Sequence, residues 1–238
     1  MPFQFFLAQT AAEFHQKLPP GANKAWMACH FSPYSTGLSN LPPALPPGSM
    51  VIINDRTPIA GHDPQRIAAQ LLELSQQQPI SHILLDLQRP RDKQAEAVAK
   101  AIVETMPCPV GISEHYAHGL HCPVFLPPPP LHIPLADYLA PWNGRPIWLE
   151  LMPDSMVYTI TESGCTKTSC FPSGTFHHFD HAAYCRYHID VSDHSICFYL
   201  ARTDSELALL RECKEIDCCI GLYQEFSQPE AQATAFAQ

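Results

Sequence analysis

Short apolar segments alternate with amphipathic stretches along most of the chain. Eight apolar segments predict β-strands, at residues 3–8, 25–31, 49–56, 82–88, 109–117, 122–126, 145–152 and 217–226. The stretch at 62–77 has helical spacing, with Ile67, Leu71 and Leu74 on one face, Asp63 as a capping residue and Pro64 in the first turn. This alternation is typical of βα units built around a parallel sheet.

The remaining elements favour a barrel. Helices are also predicted at residues 10–17, at 92–106 and after Thr203, which forms a T-x-x-E capping box with Glu206. Between the last two strands, residues 156–200 contain β-like segments around a His- and aromatic-rich stretch. We therefore predict an α/β fold, a (β/α)8 TIM barrel with a small β-rich insertion before the last strand. An open doubly wound sheet is the alternative.

Length and charge narrow the range of partners. The chain of 238 residues suits one domain, which we expect to span residues 1–226, followed by a poorly ordered tail at 227–238. A net charge of -9 with only 14 scattered Lys and Arg residues argues against nucleic-acid binding. The N-terminal stretch has no basic segment and only a short apolar run, so neither a signal peptide nor a membrane span is expected. Ten irregularly spaced cysteines indicate reduced thiols, and we expect a cytoplasmic protein.

The segment SHILLDLQRP, residues 81–90, places polar groups at the end of a strand that is otherwise apolar. Side chains alternate along a strand, so Leu84, Asp86 and Gln88 share one face. A carboxylate that points into a barrel costs free energy unless it is paired or functional. The structural alternative is a hydrogen-bonded Asp86 in contact with Arg56 or Arg89.

Other strand ends supply further candidates, since a barrel gathers the carboxyl ends of its strands around one mouth. Each also has a structural explanation, because Asn and Asp favour turns and carboxylates at strand ends are often solvated. The additional candidates are Asn54, Asp55, Arg56, Glu114 and Glu150.

Histidines and a cysteine cluster after the fifth strand. The run EHYAHGLHC contains Glu114, His115, His118, His121 and Cys122, but its spacing matches no standard zinc motif. No phosphate-binding loop, GxGxxG, HExxH or G-x-S-x-G motif is present either. We expect no metal and no other cofactor.

Two parts of the sequence resemble family 18 glycoside hydrolases, the chitinase-like barrels. The fourth-strand motif of that family is D-G-x-D-x-D-x-E-Y-P, and SHILLDLQRP aligns Asp86 with its last Asp, Gln88 with its Glu and Pro90 with its Pro. Residues 179–226 are similar to the family's closing segment in the order of the following features: Phe179-Asp180, Tyr187, Phe198-Tyr199, Thr203 to Glu206, and Gly221-Leu222-Tyr223.

The resemblance implies roles for several residues. In the family the Glu protonates the leaving oxygen, while the last Asp supports the substrate's acetamido group during substrate-assisted hydrolysis. Gln88 has no proton to give, and Ser81 and Leu84 stand where the motif's earlier acids would be. The family's sixth-strand Tyr-Asp pair is replaced by CPVFLPPPP. Tyr223 takes the place of the Trp beneath the sugar.

Three functions remain open at this point. The first is a carbohydrate- or amino-sugar-binding barrel without ordinary chitinase activity, in which Asp86, Gln88 and Tyr223 face one cleft. The second is an enzyme of altered glycosidase-type chemistry that uses other strand-end residues. The third is a non-catalytic scaffold for a protein partner. We favour the first, a binding protein rather than an enzyme.

Overall fold

Eight parallel strands form a closed barrel. The computed structural model describes residues 3–130, 133–151, 155–169, 177–182, 185–201, 210 and 213–226. Strand β1 (Gln4–Gln9) pairs in parallel with two neighbours, β2 (Asn23–Phe31) and β14 (Ile216–Leu222). Gln4 lies opposite Cys218 and Phe6 opposite Asn23, so the predicted closed barrel is confirmed and the open sheet is excluded. The barrel strands are β1 (Gln4–Gln9), β2 (Asn23–Phe31), β4 (Ser49–Asn54), β5 (Ile80–Asp86), β6 (Val110–Ser113), β7 (Val124–Leu126), β8 (Ile147–Leu151) and β14 (Ile216–Leu222). A short β3 (Leu38–Ser39) pairs antiparallel with the end of β2.

Helices cover the outside of the barrel between some of the strands. Helix α1 (Pro64–Gln77) is capped by the Asp63 carboxylate, and α2 (Lys93–Thr105) by that of Asp92, as expected for acidic N-cap residues. Shorter helices α3 (Leu135–Leu139) and α4 (Tyr223–Phe226) follow β7 and β14. No helix in the described ranges is both long and apolar enough to span a bilayer.

Three predicted elements differ from the structure. Residues 10–17 form turns instead of a helix, because side chains of Gln9 and Lys24 donate to carbonyls that a helix would use, those of Glu13, Phe14 and Gln16. The fifth predicted strand ends at Ser113 and continues as a 3-10 helix, Glu114–Tyr116. The last strand ends at Leu222, before α4. The predicted helix after Thr203 and the predicted tail at 227–238 fall outside the described residues.

The predicted β-rich insertion is a five-stranded antiparallel sheet between β8 and β14. Its strands are β9 (Ser155–Thr161), β10 (Gly164–Ser169), β11 (His178–Asp180), β12 (Cys185–Ser192) and β13 (Ser195–Ala201). Their order in the sheet is β10-β9-β13-β12-β11. A main-chain hydrogen bond of 2.7 Å from Leu135 N–H to the Ala182 carbonyl links the sheet to α3.

The barrel has an inner and an outer apolar layer. Alternate strand residues fill the interior, among them Phe6, Met50, Leu84 and Trp148, whereas the outward set packs beneath the helices. Close packing inside requires a glycine on β6, because a Cβ on Gly111 would lie 2.1 Å from the Trp148 indole. The indole therefore occupies the volume that a side chain on β6 would otherwise need.

We expect Gly111→Ala to lower the free energy of unfolding by about 1–3 kcal/mol, as overpacking of a filled core does. Chemical denaturation measures the change. Gly37→Ala is the control, because its added Cβ would lie 3.0 Å from a side-chain oxygen, Gln70 Oε1, and would strain at most the hydrogen bond that this oxygen accepts from the Leu38 N–H. Equal stabilities of the two variants would show that the interior can accommodate the extra methyl group.

Candidate functional site

A cavity of about 480 Å³ opens at the carboxyl ends of the barrel strands. Because all eight strands run in parallel, their carboxyl ends meet at this one face, where barrel enzymes place their active sites. The polar part of its lining comes from Asn54, Asp55, Arg56, Asp86, Gln88, Arg89 and Glu150.

Asp86 and Gln88 form a side-chain pair in this cavity. Asp86 ends β5, and Gln88 follows in the loop rather than in the strand as predicted. The Gln88 amide donates to both carboxylate oxygens of Asp86, with both distances 3.3 Å. Burial raises the pKa of Asp86 above its ordinary value, because it disfavours the charged carboxylate. The hydrogen bonds from Gln88 lower the pKa in part. The negative charge of Asp55 raises it further, and His115 lowers it.

Asp55 anchors the loop that carries Gln88. Its side chain is buried, and its two carboxylate oxygens accept hydrogen bonds from the main-chain N–H groups of Gln88, at 3.0 Å, and Arg89, at 2.8 Å. The Arg89 guanidinium in turn donates to the main-chain carbonyls of Asp55, at 2.7 Å, and Arg56, at 2.9 Å. Asp55 thus has a positioning role at the edge of the cavity.

Asn54 is engaged in a similar way. Its amide nitrogen donates to the carbonyls of Met27 and Cys29, where the pairing of β2 with β4 is irregular. Its amide oxygen accepts the N–H of Arg56. The Asn54 side chain therefore supports the strand ends, while the exposed Arg56 side chain lines the cavity.

The other side of the cavity combines a carboxylate and an aromatic ring. Glu150 on β8 lines it, as does Phe125 on the adjacent β7. Strand β8 lies three strands from β5 around the ring, so Glu150 stands across the mouth from Asp86. Sequence reasoning missed Phe125 and, as a cavity residue, Arg89; the alternation along CPVFL was the available signal for Phe125.

Two candidate residues are not brought to the cavity. Tyr223 packs in the outer apolar layer and donates its hydroxyl to the Gln16 side chain at 2.6 Å. Alternation along the last strand gives the same outward direction, because Cys218 and Ile220 face the interior while Cys219 lies in the outer layer. The chain then enters α4 after Leu222. Glu114 belongs to the 3-10 helix and does not line the cavity. The expectation that Asp86, Gln88 and Tyr223 face one cleft is therefore wrong for Tyr223.

The His-rich segment is held by other contacts. His115 is 3.2 Å from the Arg89 carbonyl, and His118 stacks near Trp142 with 5.2 Å between ring centroids. Arg145 donates to three carbonyls of this loop, those of Ala117, Leu120 and Cys122. Within the part of the chain that the structure describes, no three potential metal ligands come together.

The fold defines this chain as a (β/α)8-type barrel with its cavity at the carboxyl face of the strands. Its structure is similar to that of the spore cortex-lytic enzyme SleL of Bacillus megaterium QM B1551, with a TM-score of 0.59 over 97% of this chain and 72% of that chain. No family model matches the sequence, and no curated protein matches it significantly. At 10% identity the similarity establishes the fold, and the resemblance to glycoside hydrolase family 18 stays a prediction.

We expect Asp55→Ala to lower the free energy of unfolding by about 2–4 kcal/mol, because two main-chain N–H groups lose their acceptor in a partly buried loop. Thermal denaturation measures this change. Arg56→Ala is the control, since its side chain is exposed and is expected to change stability by less than about 0.5 kcal/mol. A small effect for Asp55→Ala would mean that water replaces the carboxylate and that the loop does not depend on it.

Asp86→Asn is expected to stabilise the protein at neutral pH. An unfolded Asp loses its proton near pH ~3.9, whereas folded Asp86 loses it at a higher pH, so the folded wild type holds the extra proton between these values. The stability of the wild type therefore falls as the pH rises through this window, and Asn does not titrate. The advantage of the variant should be small at acid pH and full above the folded pKa.

Unfolding free energies between pH 3 and 7 test this expectation. Gln88→Met provides an internal check, because it removes the donors that favour the charged carboxylate and should raise the pKa of Asp86 further. A stability difference between Asp86→Asn and wild type that stays constant over this range would contradict the raised pKa.

Proposed function

We propose that the protein binds carbohydrate, an amino sugar in particular, in the mouth cavity and does not act as an ordinary chitinase. The observation that carries the proposal is the Asp86–Gln88 pair on the wall of this cavity. It combines a strong acceptor with an amide that can both donate and accept, which suits hydroxyl and acetamido groups.

The size and composition of the cavity support a small polar ligand. About 480 Å³ lies within the usual range for ligand pockets. The apolar floor comes from the interior residues Ile52, Leu84 and Ile220, with Phe125 at one side. Phe125 gives an aromatic surface to one sugar face and takes over the role that we expected of Tyr223.

The chemistry of Gln88 argues against hydrolysis of the family type. A carboxamide cannot protonate a leaving oxygen near neutral pH. The Gln88 nitrogen is in addition directed at Asp86, so the pair behaves as a fixed hydrogen-bonding unit. The fold similarity to SleL, a spore cortex-lytic enzyme, agrees with a carbohydrate ligand without carrying the proposal.

We expect chitotetraose to bind with a Kd in the millimolar range or below, and Asp86→Ala to weaken binding by about tenfold, the loss expected for a charge-assisted hydrogen bond. Calorimetric titration measures both values. Asp217→Ala is the matched control, because Asp217 lines a separate cavity of about 240 Å³ that also contains Gln4 and His82, residues of the opposite strand ends. No binding of chitotetraose or of other saccharides would favour the protein scaffold instead.

A second candidate is an enzyme of altered glycosidase-type chemistry. The raised pKa of Asp86 favours it, because a carboxyl group that holds its proton longer is a better general acid, and Glu150 lines the same cavity. Turnover of a chromogenic amino-sugar glycoside that is lost in both Asp86→Ala and Glu150→Gln would establish this activity. Absence of turnover alongside saccharide binding leaves the binding protein as the function.

A further inference from the structure

Two arginines line the same side of the mouth cavity. Arg56 follows β4 and Arg89 follows β5, and these two strands are neighbours in the barrel. The Arg89 guanidinium lies 2.9 Å from the main-chain carbonyl of Arg56, so the two loops are joined at this point. Both side chains are exposed to solvent.

Neither arginine is neutralised by an ion pair among the described residues. Arg89 uses two N–H groups on the main-chain carbonyls of Asp55 and Arg56, which fixes its guanidinium and leaves its remaining donors unused. The Arg56 guanidinium has no acceptor in the described part of the chain. The nearby carboxylate of Asp55 accepts its hydrogen bonds from main-chain N–H groups instead.

The charge of the whole protein makes this pair unusual. Lys and Arg together number 14 against 23 Asp and Glu, and the net charge is -9. Such a protein repels anions on average, so local affinity for an anion requires specific donors. Arginine presents parallel N–H groups that match the two oxygens of a carboxylate, and a fixed guanidinium loses less entropy on binding.

We propose that the carbohydrate bound in this cavity is acidic, a sugar that carries a carboxylate, and that Arg56 and Arg89 bind this group. The inference rests on the proposed carbohydrate function and specifies its ligand class. The sugar hydroxyl and amide groups face Asp86 and Gln88, while the carboxylate lies over the β4 and β5 loops.

Two saccharides of equal length test the proposal. A hyaluronan tetrasaccharide alternates N-acetylglucosamine with glucuronate, whereas chitotetraose contains N-acetylglucosamine alone. We expect the wild-type protein to bind the acidic saccharide about tenfold more tightly in low salt, and this preference to decrease as salt screens the exposed charges.

Matched variants separate the arginine site from general charge effects. Arg56→Gln should bring the two affinities close to parity, because the loss falls mainly on the acidic saccharide. Arg66→Gln removes the same charge from an exposed position on α1 and should keep the preference. Equal or weaker binding of the acidic saccharide, or a preference that survives Arg56→Gln in full, would overturn the acidic ligand and leave the carbohydrate function standing. Failure of both saccharides to bind would overturn both proposals.

Discussion

The closure of the barrel is the constraint on which the rest of the structure depends. Strand β1 is paired on both sides, to β2 and to β14, so the parallel ring has no free edge among its eight strands. A ring of this kind encloses a fixed interior, which Trp148 and its neighbours fill and which requires a residue without a side chain at Gly111. The same closure brings polar residues from β4, β5 and β8 to one mouth, although they are far apart in sequence.

The polar groups at the mouth divide into those that build it and those whose side chains line the cavity. Asp55 and Asn54 are committed to main-chain groups, and through these bonds they fix the loops after β4 and β5. Asp86, Gln88 and Arg56 are held in place by that frame and present their side chains to the cavity. The buried Asp55 carboxylate thus shapes the cavity by fixing a loop.

The sequence predicts the fold better than it predicts the site. All eight barrel strands and both long helices follow from the apolar pattern. Strands that are buried on both faces appear as short runs of apolar residues, and turn-forming residues separate these runs. Alternation with the outward Ile112 and Cys219 would have placed Glu114 and Tyr223 outside the cavity. The predicted strands at 109–117 and 217–226 instead run four residues past the observed ends, Ser113 and Leu222, where the chain enters a short helix. These ends are set by local main-chain bonding, which apolar periodicity does not show. The sequence Asn54-Asp55-Arg56 also does not show which side chain will bond to the main chain. The Asp55 side chain does so, whereas the Arg56 side chain lines the cavity.

The turns at residues 10–17 show the same limit. Their sequence has helical character, including a T-x-x-E capping box at Thr10 and Glu13. Gln9, fully buried at the end of β1, and Lys24 nevertheless donate to the carbonyls of Glu13, Phe14 and Gln16. Competition between side-chain and main-chain donors for the same carbonyls decides the conformation there. The apolar pattern of the sequence does not reveal this competition.

The pairing of β1 with β14 also sets an order of events for the growing polypeptide. During synthesis β1 emerges first, yet one of its two neighbours is the last barrel strand, so the ring stays open until residue 222 has left the ribosome. Until then the apolar strand FFLA, which is completely buried in the finished barrel, has one unpaired edge. Contacts between such distant segments form slowly, and the open intermediate is the species most exposed to aggregation or to chaperones.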